Sequence, residues 1–136
     1  MKNAIYGWTA AVPSIIDIPK LQNVLDVAAG TCVWTADFAN MPEVNARLAL
    51  PGRAPVTSPI HLFATDIDTK FFPDKEFLDS FGIETFQHDV TKPFPPDMHG
   101  KFDLIHISFL LLCITEQGWK DALENCRQAL SMCNIL

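Results

Sequence analysis

The fold is decided by the stretch VLDVAAGTCVW, which runs from Val24 to Trp34. Asn23 to Ala28 is an apolar run that ends in small residues, which is typical of a buried parallel strand. A turn follows, and Thr31 to Met41 has helical character until Pro42 interrupts it. Small residues let the backbone approach a ligand closely, and the helix start offers free N–H donors. This strand-turn-helix unit predicts a ligand site at its turn.

Strand-like and helix-like segments continue to alternate after this unit. Such alternation predicts an α/β fold: a parallel sheet in the order 3-2-1-4 with helices on both faces, in a single domain over residues 1–136. The last helix has Thr115 available as N-cap and an apolar stripe at helical spacing, formed by Trp119, Ala122, Leu123, Cys126, Ala129 and Leu130. The other predicted segments are strands at Ile60–Thr65, Ile83–His88 and Phe102–Phe109, a helix at Asp74–Phe81 and a turn-rich loop at Pro51–Pro59.

The composition excludes several classes of protein. Of the 136 residues 49% are hydrophobic and 19% charged, which fits a compact domain, and the net charge of −6 without a Lys/Arg cluster argues against nucleic-acid partners. The longest apolar run, Leu104 to Ile114, is roughly half of what a membrane span needs. Met1 to Trp8 has no secretory signal pattern, so we expect a cytoplasmic protein with reduced cysteines.

Carboxylates recur on the three predicted strands that should form the ligand-binding edge. Asp26 lies within the first strand, Asp66 ends the second and Asp89 follows the third. An acid at the position of Asp66 can accept both hydroxyls of a ribose, although a solvated loop acid or helix cap would look the same. Asp89 can accept from an adenine amine while the next N–H donates to the ring, or it can be an ordinary turn former. Their coincidence favours a nucleoside site.

These motifs together resemble a known family. The run LDVAAGTCVW is similar to the first motif of class I S-adenosylmethionine-dependent methyltransferases, L-D-x-G-x-G-T-G-x-W. The further runs TDID, KPFPPDMHGKFDLIH and GWKDALENCRQAL resemble fungal small-molecule methyltransferases of secondary metabolism. The resemblance covers Leu21 to Leu130 and implies a Rossmann-like fold, S-adenosylmethionine as cofactor and a small-molecule methyl acceptor.

The resemblance also implies roles for individual residues. The first motif, with Asp26, Ala28 and Gly30, would meet the methionine and ribose parts of the cofactor. The ribose would be held by Asp66 with Ile67 beside it, and the adenine by Asp89 with Val90. Ile107, at the end of the fourth strand, would line the methionine end. Direct displacement at a sulfonium methyl needs no universal catalytic side chain, so none is assigned.

The chain departs from the family pattern in three respects. Ala28 and Cys32 replace glycines of the first motif, and their Cβ atoms would be strained at positive φ. The interval from Gly30 to Asp66 is long, with the excess in the proline-rich loop. Family members also continue with further strands, so we expect a fold that is incomplete at the C-terminus. The fourth strand would then have an exposed edge open to self-association or a partner chain.

Two alternatives stay open from the sequence. The early stop favours a catalytically inactive methyltransferase-like binding module. The run LFATDID also resembles the opening of haloacid-dehalogenase-type phosphatases, in which Asp66 would be the nucleophile and Asp68 the acid/base. Lys70 stands where that pattern has Thr or Val. The four histidines lack the close spacing of metal ligands, so no metal site is expected.

Overall fold

The computed structural model of the protein describes residues 16–108 and 114–131. Strands and helices alternate along this part of the chain, as the sequence predicts. The strands are β1 (Asn23–Val27), β2 (His61–Asp66), β3 (Ile83–Gln87) and β4 (Leu104–Ile107), and the α-helices are α1 (Val33–Asn40), α2 (Pro42–Asn45), α3 (Lys75–Phe81) and α4 (Glu116–Ala129). Short 3-10 turns lie at Ile18–Lys20, Thr69–Phe71 and Pro96–Met98.

The four described strands form one parallel sheet in the order β3-β2-β1-β4. This order confirms the prediction. The register pairs Asp26 of β1 with Ala64 of β2 and with His106 of β4. Since parallel neighbours in register point their side chains to the same face, Asp26 and His106 are side by side on the sheet.

Each face of the sheet has its own core. One cluster holds alternate strand residues such as Val24, Leu62 and Leu104 together with Phe38 of α1. The other holds the intervening residues, such as Leu25 and Phe63, together with residues of α4. Helices therefore cover both faces, as expected from strands that are buried on both sides.

The ends of the helices follow local capping chemistry. Asp74 accepts the Phe77 N–H at the start of α3, and Gly82 ends that helix in the left-handed conformation with φ +67°. Thr115 accepts the Gly118 N–H, so α4 begins at Glu116, three residues before the first predicted apolar position.

The buried face of α4 differs from the predicted one at two residues. Leu123 belongs to the predicted apolar stripe but is 48% exposed, whereas the polar Asn125 is 8% exposed. A hydrogen bond from Asn125 to a main-chain carbonyl compensates its burial.

The fourth strand is shorter than the predicted Phe102–Phe109. Phe102 forms an isolated bridge with Leu130, and Phe109 lies outside the described residues, as do residues 110–113. The predictions for residues 1–8 and for the terminal residues 132–136 also lie outside them. Pairing through the outer edge of β4 stays a prediction. No helix within residues 16–108 and 114–131 is long and apolar enough to cross a membrane.

Candidate functional site

The turn between β1 and α1 has an unusual backbone. Three of its residues have positive φ: Ala28 at 58°, Gly30 at 56° and Cys32 at 62°. Two of them carry a Cβ, which costs about 1–2 kcal/mol in this region. The turn is fixed by main-chain bonds, from Ala29 N–H to the Thr65 carbonyl at 3.0 Å and from Cys32 N–H to the Ala29 carbonyl at 2.8 Å. The strain foreseen at Ala28 and Cys32 is therefore present in the folded chain.

The thiol of Cys32 lies beneath the turn. Its side chain is fully buried in the same core cluster as Phe38, so it does not occupy the open side of the turn. Burial, followed by the negative charges of Asp26 and Asp66, raises the pKa of the Cys32 thiol to about 12. Cys32 is thus a neutral, unreactive core residue at ordinary pH.

Asp26 is buried below the turn, with 1% of its surface exposed. Its Oδ2 accepts a hydrogen bond from the Thr35 hydroxyl at 2.7 Å, and its Oδ1 lies 2.9 Å from Nδ1 of His106. Because a carboxylate only accepts, Nδ1 is the protonated ring nitrogen in this arrangement. The two bonds join β1 to α1 and β4, so Asp26 holds the elements that flank the turn.

An aromatic stack fixes the His106 ring. The indole of Trp34 lies parallel to it, with ring centroids 4.0 Å apart and planes at 4°, and stacks on its other neighbour, Phe38, at 5.1 Å. Trp34, in α1, thereby limits the orientations open to His106. The His106 ring, which donates to Asp26 from β4, is therefore held in place by Trp34 of α1.

Asp66 lies at the end of β2 and faces the turn. Its Oδ2 accepts the Gly30 N–H at 2.9 Å, and its Oδ1 accepts the Asp68 N–H at 3.2 Å. The carboxylate is partly exposed. The structure therefore brings together Asp66 and Gly30, which are 36 residues apart in the chain and were both predicted for the site.

The loop after Asp66 is tied to β3. Ile67 has 60% of its surface exposed, while its carbonyl accepts a hydrogen bond from Gln87 Nε2 at 2.8 Å. The His88 N–H donates to the Asp66 carbonyl at 3.0 Å. These bonds keep the ends of β2 and β3 at fixed separation and leave the Ile67 side chain presented to solvent.

Asp89 begins a tight turn after β3. Its Oδ1 accepts from the Thr91 N–H at 2.9 Å and the Thr91 hydroxyl at 2.7 Å, and these bonds lower the pKa of Asp89. No hydrogen bond to the other oxygen, Oδ2, is found within the described part of the chain. The side chain of Val90 is 7% exposed and packs in the core that α4 covers. Its carbonyl accepts from Asn125 at 2.9 Å.

Ile107 ends β4 beside the turn. It pairs in register with Val27, and both Ile107 and Ala28 pack against the core on the α4 face. Ile107 is half-buried. The predicted residues thus converge on the carboxyl edge of the sheet, with the difference that Asp26 is enclosed beneath that edge.

The chain is similar to known methyltransferases in both sequence and structure. It is 25% identical over 118 residues to Methyltransferase grgD of Penicillium sp, covering 85% of this chain and 37% of that protein. It matches the CMeT domain of the citrinin polyketide synthase with a TM-score of 0.59 and 13% identity, covering 81% of this chain and 26% of that one. The chain has the class I methyltransferase fold.

Another solved methyltransferase that the chain resembles contains a nucleoside ligand. The trans-methyltransferase CalH, in complex with SAH, matches with a TM-score of 0.53 and 21% identity, covering 83% of this chain and 30% of that one. The chain therefore spans about a third of the length of these three methyltransferases. No family model matches it.

These similarities bear on the alternatives drawn from the sequence. The predicted Rossmann-like methyltransferase fold is confirmed, and the comparisons fit the methyltransferase interpretation rather than the phosphatase interpretation of Asp66 and Asp68 or the inactive-module alternative. Within the described residues, no three His, Cys, Asp or Glu side chains are grouped closely enough to hold a metal ion.

The geometry of the turn fits a nucleoside cofactor. A Cβ built on Gly30 would have no heavy atom within 4 Å, so the space beside this backbone is open. Asp66 borders that opening, and Ile67 and Asp89 lie on the loops tied to it. A ligand with hydroxyl groups, an apolar ring face and an amine would find complementary groups on these residues.

Several residues of this region are absent from the sequence-based site. Thr35 and His106 bind Asp26, Gln87 binds the Ile67 carbonyl, and Asn125 binds the Val90 carbonyl. Asn125 carried a usable signal, because it is a polar residue beside Ala122 and Cys126 in an apolar stripe. His106 did too, as a polar residue in the longest apolar run.

Proposed function

We propose that this chain forms the S-adenosylmethionine-binding part of a methyltransferase that acts on a small-molecule acceptor. The observation that carries the proposal is the Asp66 carboxylate, which the Gly30 N–H holds at 2.9 Å beside an open turn. The similarity to Methyltransferase grgD and the ligand of CalH support it.

Asp66 and Ile67 would bind the nucleoside from the β2 side. A carboxylate offers about four acceptor positions, and two N–H groups use only part of this capacity, so Asp66 can still accept from both ribose hydroxyls. Ile67, with its side chain 60% exposed, would lose this exposure by packing against one face of the purine.

Asp89 and Val90 would bind the edge of the adenine. The lowered pKa of Asp89 keeps its carboxylate ionised, so it is an acceptor for the exocyclic amine. The N–H of Val90 would donate to the neighbouring ring nitrogen. An amine beside an unprotonated ring nitrogen distinguishes adenine from a 6-oxopurine, which presents the opposite pattern.

The backbone of the turn and Ile107 would contact the methionine part. The cofactor, when bound, supplies a methyl group activated on a sulfonium. Residues 28–32 would align this part of the ligand, and the apolar side chains of Ala28 and Ile107 would exclude water next to it. We assign no general base, and we keep the small-molecule acceptor as a class.

A cytoplasmic location is part of the same proposal. It rests on Cys32 and Cys126, which are buried free cysteines and are compatible with a reducing compartment.

Calorimetric titration with S-adenosylhomocysteine tests the proposed site. Asp66→Ala should weaken binding by about tenfold or more, because charged hydrogen bonds contribute roughly 1.5–3 kcal/mol each. Asp66→Asn keeps an acceptor for the Gly30 N–H and should have an intermediate effect. Asp79→Ala removes an exposed acid that pairs with Lys75 and serves as the charge-matched control.

Circular dichroism would establish that each variant is folded. A parent chain that does not bind S-adenosylhomocysteine would overturn the proposed function. Equal binding by the parent and a folded Asp66→Ala variant would remove Asp66 from the site.

A further inference from the structure

Asn125 is a buried polar residue on the apolar side of α4. It is 8% exposed, and its neighbours on the helix, Ala122 and Cys126, belong to the core between α4 and the sheet. Its Nδ2 donates to the Val90 carbonyl at 2.9 Å, across 35 residues of sequence. A buried amide needs such a partner, since an unpaired one costs roughly 1–3 kcal/mol.

The segment that Asn125 holds is the turn after β3. Within this turn, Thr91 fixes the Asp89 carboxylate through two hydrogen bonds to the same oxygen. These bonds set the shape of the turn but do not set its position against the rest of the domain. That position depends on contacts from outside the turn.

The Val90 side chain contributes by packing in the core that α4 covers, and contacts from β2 and from α4 add to it. On the β2 side, the His88 N–H donates to the Asp66 carbonyl at 3.0 Å. On the α4 side, Asn125 holds the Val90 carbonyl, and the start of the helix lies close to Thr91, because a Cβ built on Gly118 would be 3.5 Å from Thr91 Cγ2. Among these α4 contacts the Asn125 bond is the directional one, since it fixes a single main-chain oxygen.

We propose that Asn125 is a positioning residue for purine selectivity. It fixes the main chain at Val90 so that the Val90 N–H and the Asp89 carboxylate together face one edge of the base. This inference rests on the proposed function, in which those two groups bind adenine. Selectivity needs both groups in place at once, because a donor or acceptor that moves away is replaced by water and no longer rejects the wrong base.

The test compares S-adenosylhomocysteine with S-inosylhomocysteine, in which the exocyclic amine is replaced by a carbonyl and the ring nitrogen carries hydrogen. Calorimetry on the full chain should give the parent a preference of at least about tenfold for the adenine compound. Asn125→Leu keeps the size of the side chain and removes the donor. We expect its preference to fall by threefold or more, with the adenine compound losing most of the affinity.

Cys126→Ala is the matched control. This neighbouring residue is also buried on α4, so its truncation loosens the same core without touching the Val90 carbonyl. It should keep the parental preference. If Asn125→Leu does not fold, Asn125→Ser replaces it, because the shorter hydroxyl side chain also loses the reach of the amide.

The outcomes separate this inference from the proposed function. A parent that binds the adenine compound, together with an Asn125 variant that weakens both compounds equally or neither, would overturn the positioning role and leave the cofactor site standing. A parent that binds neither compound would overturn both. A selective fall in the Asn125 variant, absent in Cys126→Ala, supports the assignment.

Discussion

Replacing Thr35 by Val tests whether the buried Asp26 depends on its hydrogen bonds. The two side chains have nearly the same shape, so the change removes one donor and leaves no cavity. Asp26 is 1% exposed, and the Thr35 hydroxyl lies 2.7 Å from its Oδ2. After the substitution Oδ2 would face a methyl group, whereas the hydrogen bond from His106 Nδ1 to Oδ1 would be kept.

The expected loss of stability follows from this geometry. A hydrogen bond to a charged group contributes roughly 1.5–3 kcal/mol, and a buried acceptor without its donor is at the upper end of that range. We expect the free energy of unfolding to fall by about 2–3 kcal/mol, out of a total of roughly 5–15 kcal/mol. For a domain of this length the melting temperature should fall by about 6–10 °C.

Urea denaturation followed by circular dichroism measures the effect. Thr85→Val, a β-branched exchange on the half-buried face of edge strand β3, controls for the intrinsic consequence of the substitution. In an Asp26→Asn background the same Thr35→Val change should cost at least about 1 kcal/mol less, because the buried acceptor is then uncharged. A loss below about 0.5 kcal/mol for Thr35→Val would refute the reasoning.

Two further predictions concern the backbone of the turn and the two buried thiols. Ala28→Gly should raise the free energy of unfolding by about 0.5 kcal/mol, and with it the urea midpoint, because it relieves a positive φ of 58° at some cost in chain entropy. Ala29→Gly, next to it, should lower the free energy of unfolding. Equal effects of the two substitutions would contradict the strain argument. Burial raises the pKa of the Cys32 and Cys126 thiols from 9.0 to about 12, so the unfolded chain releases protons that the folded chain keeps, and stability should fall as pH rises from 9 to 12. Denaturation midpoints across this range should decline less in Cys126→Ala than in the parent, and identical profiles would count against the shift.

The strands and their order follow from local patterns in the sequence. Each apolar run ends at residues that favour turns, and alternating strands and helices leave few topologies once crossovers are right-handed. The edge of the sheet that gathers Gly30, Asp66 and Asp89 could be predicted for the same reason, because parallel strands end on one side. What the patterns specify is the location of each residue along its own element.

The contacts between elements depend on register, which these patterns do not specify. Asp26 and His106 are 80 residues apart and meet because β1 and β4 pair in one particular alignment. A shift by one residue would place His106 on the opposite face. Similarly, the rotation of α4 decides that Asn125 is buried and Leu123 is exposed. Hydrophobicity alone favours the reverse, and the Val90 carbonyl supplies the deciding interaction.

The non-glycine residues of the turn show why departure from the motif is compatible with its geometry. Cys32 and Ala28 each oppose the turn by about 1–2 kcal/mol of backbone strain. Cys32 offsets part of it by burying its side chain completely, and Ala28 does so by packing, as Ile107 does, against the core on the α4 face. The rest is carried by the bonds to Thr65 and Asp66 on one side and by the Asp26 network on the other. The turn is therefore held open from outside, and its backbone can face a ligand at Gly30, where no side chain intervenes.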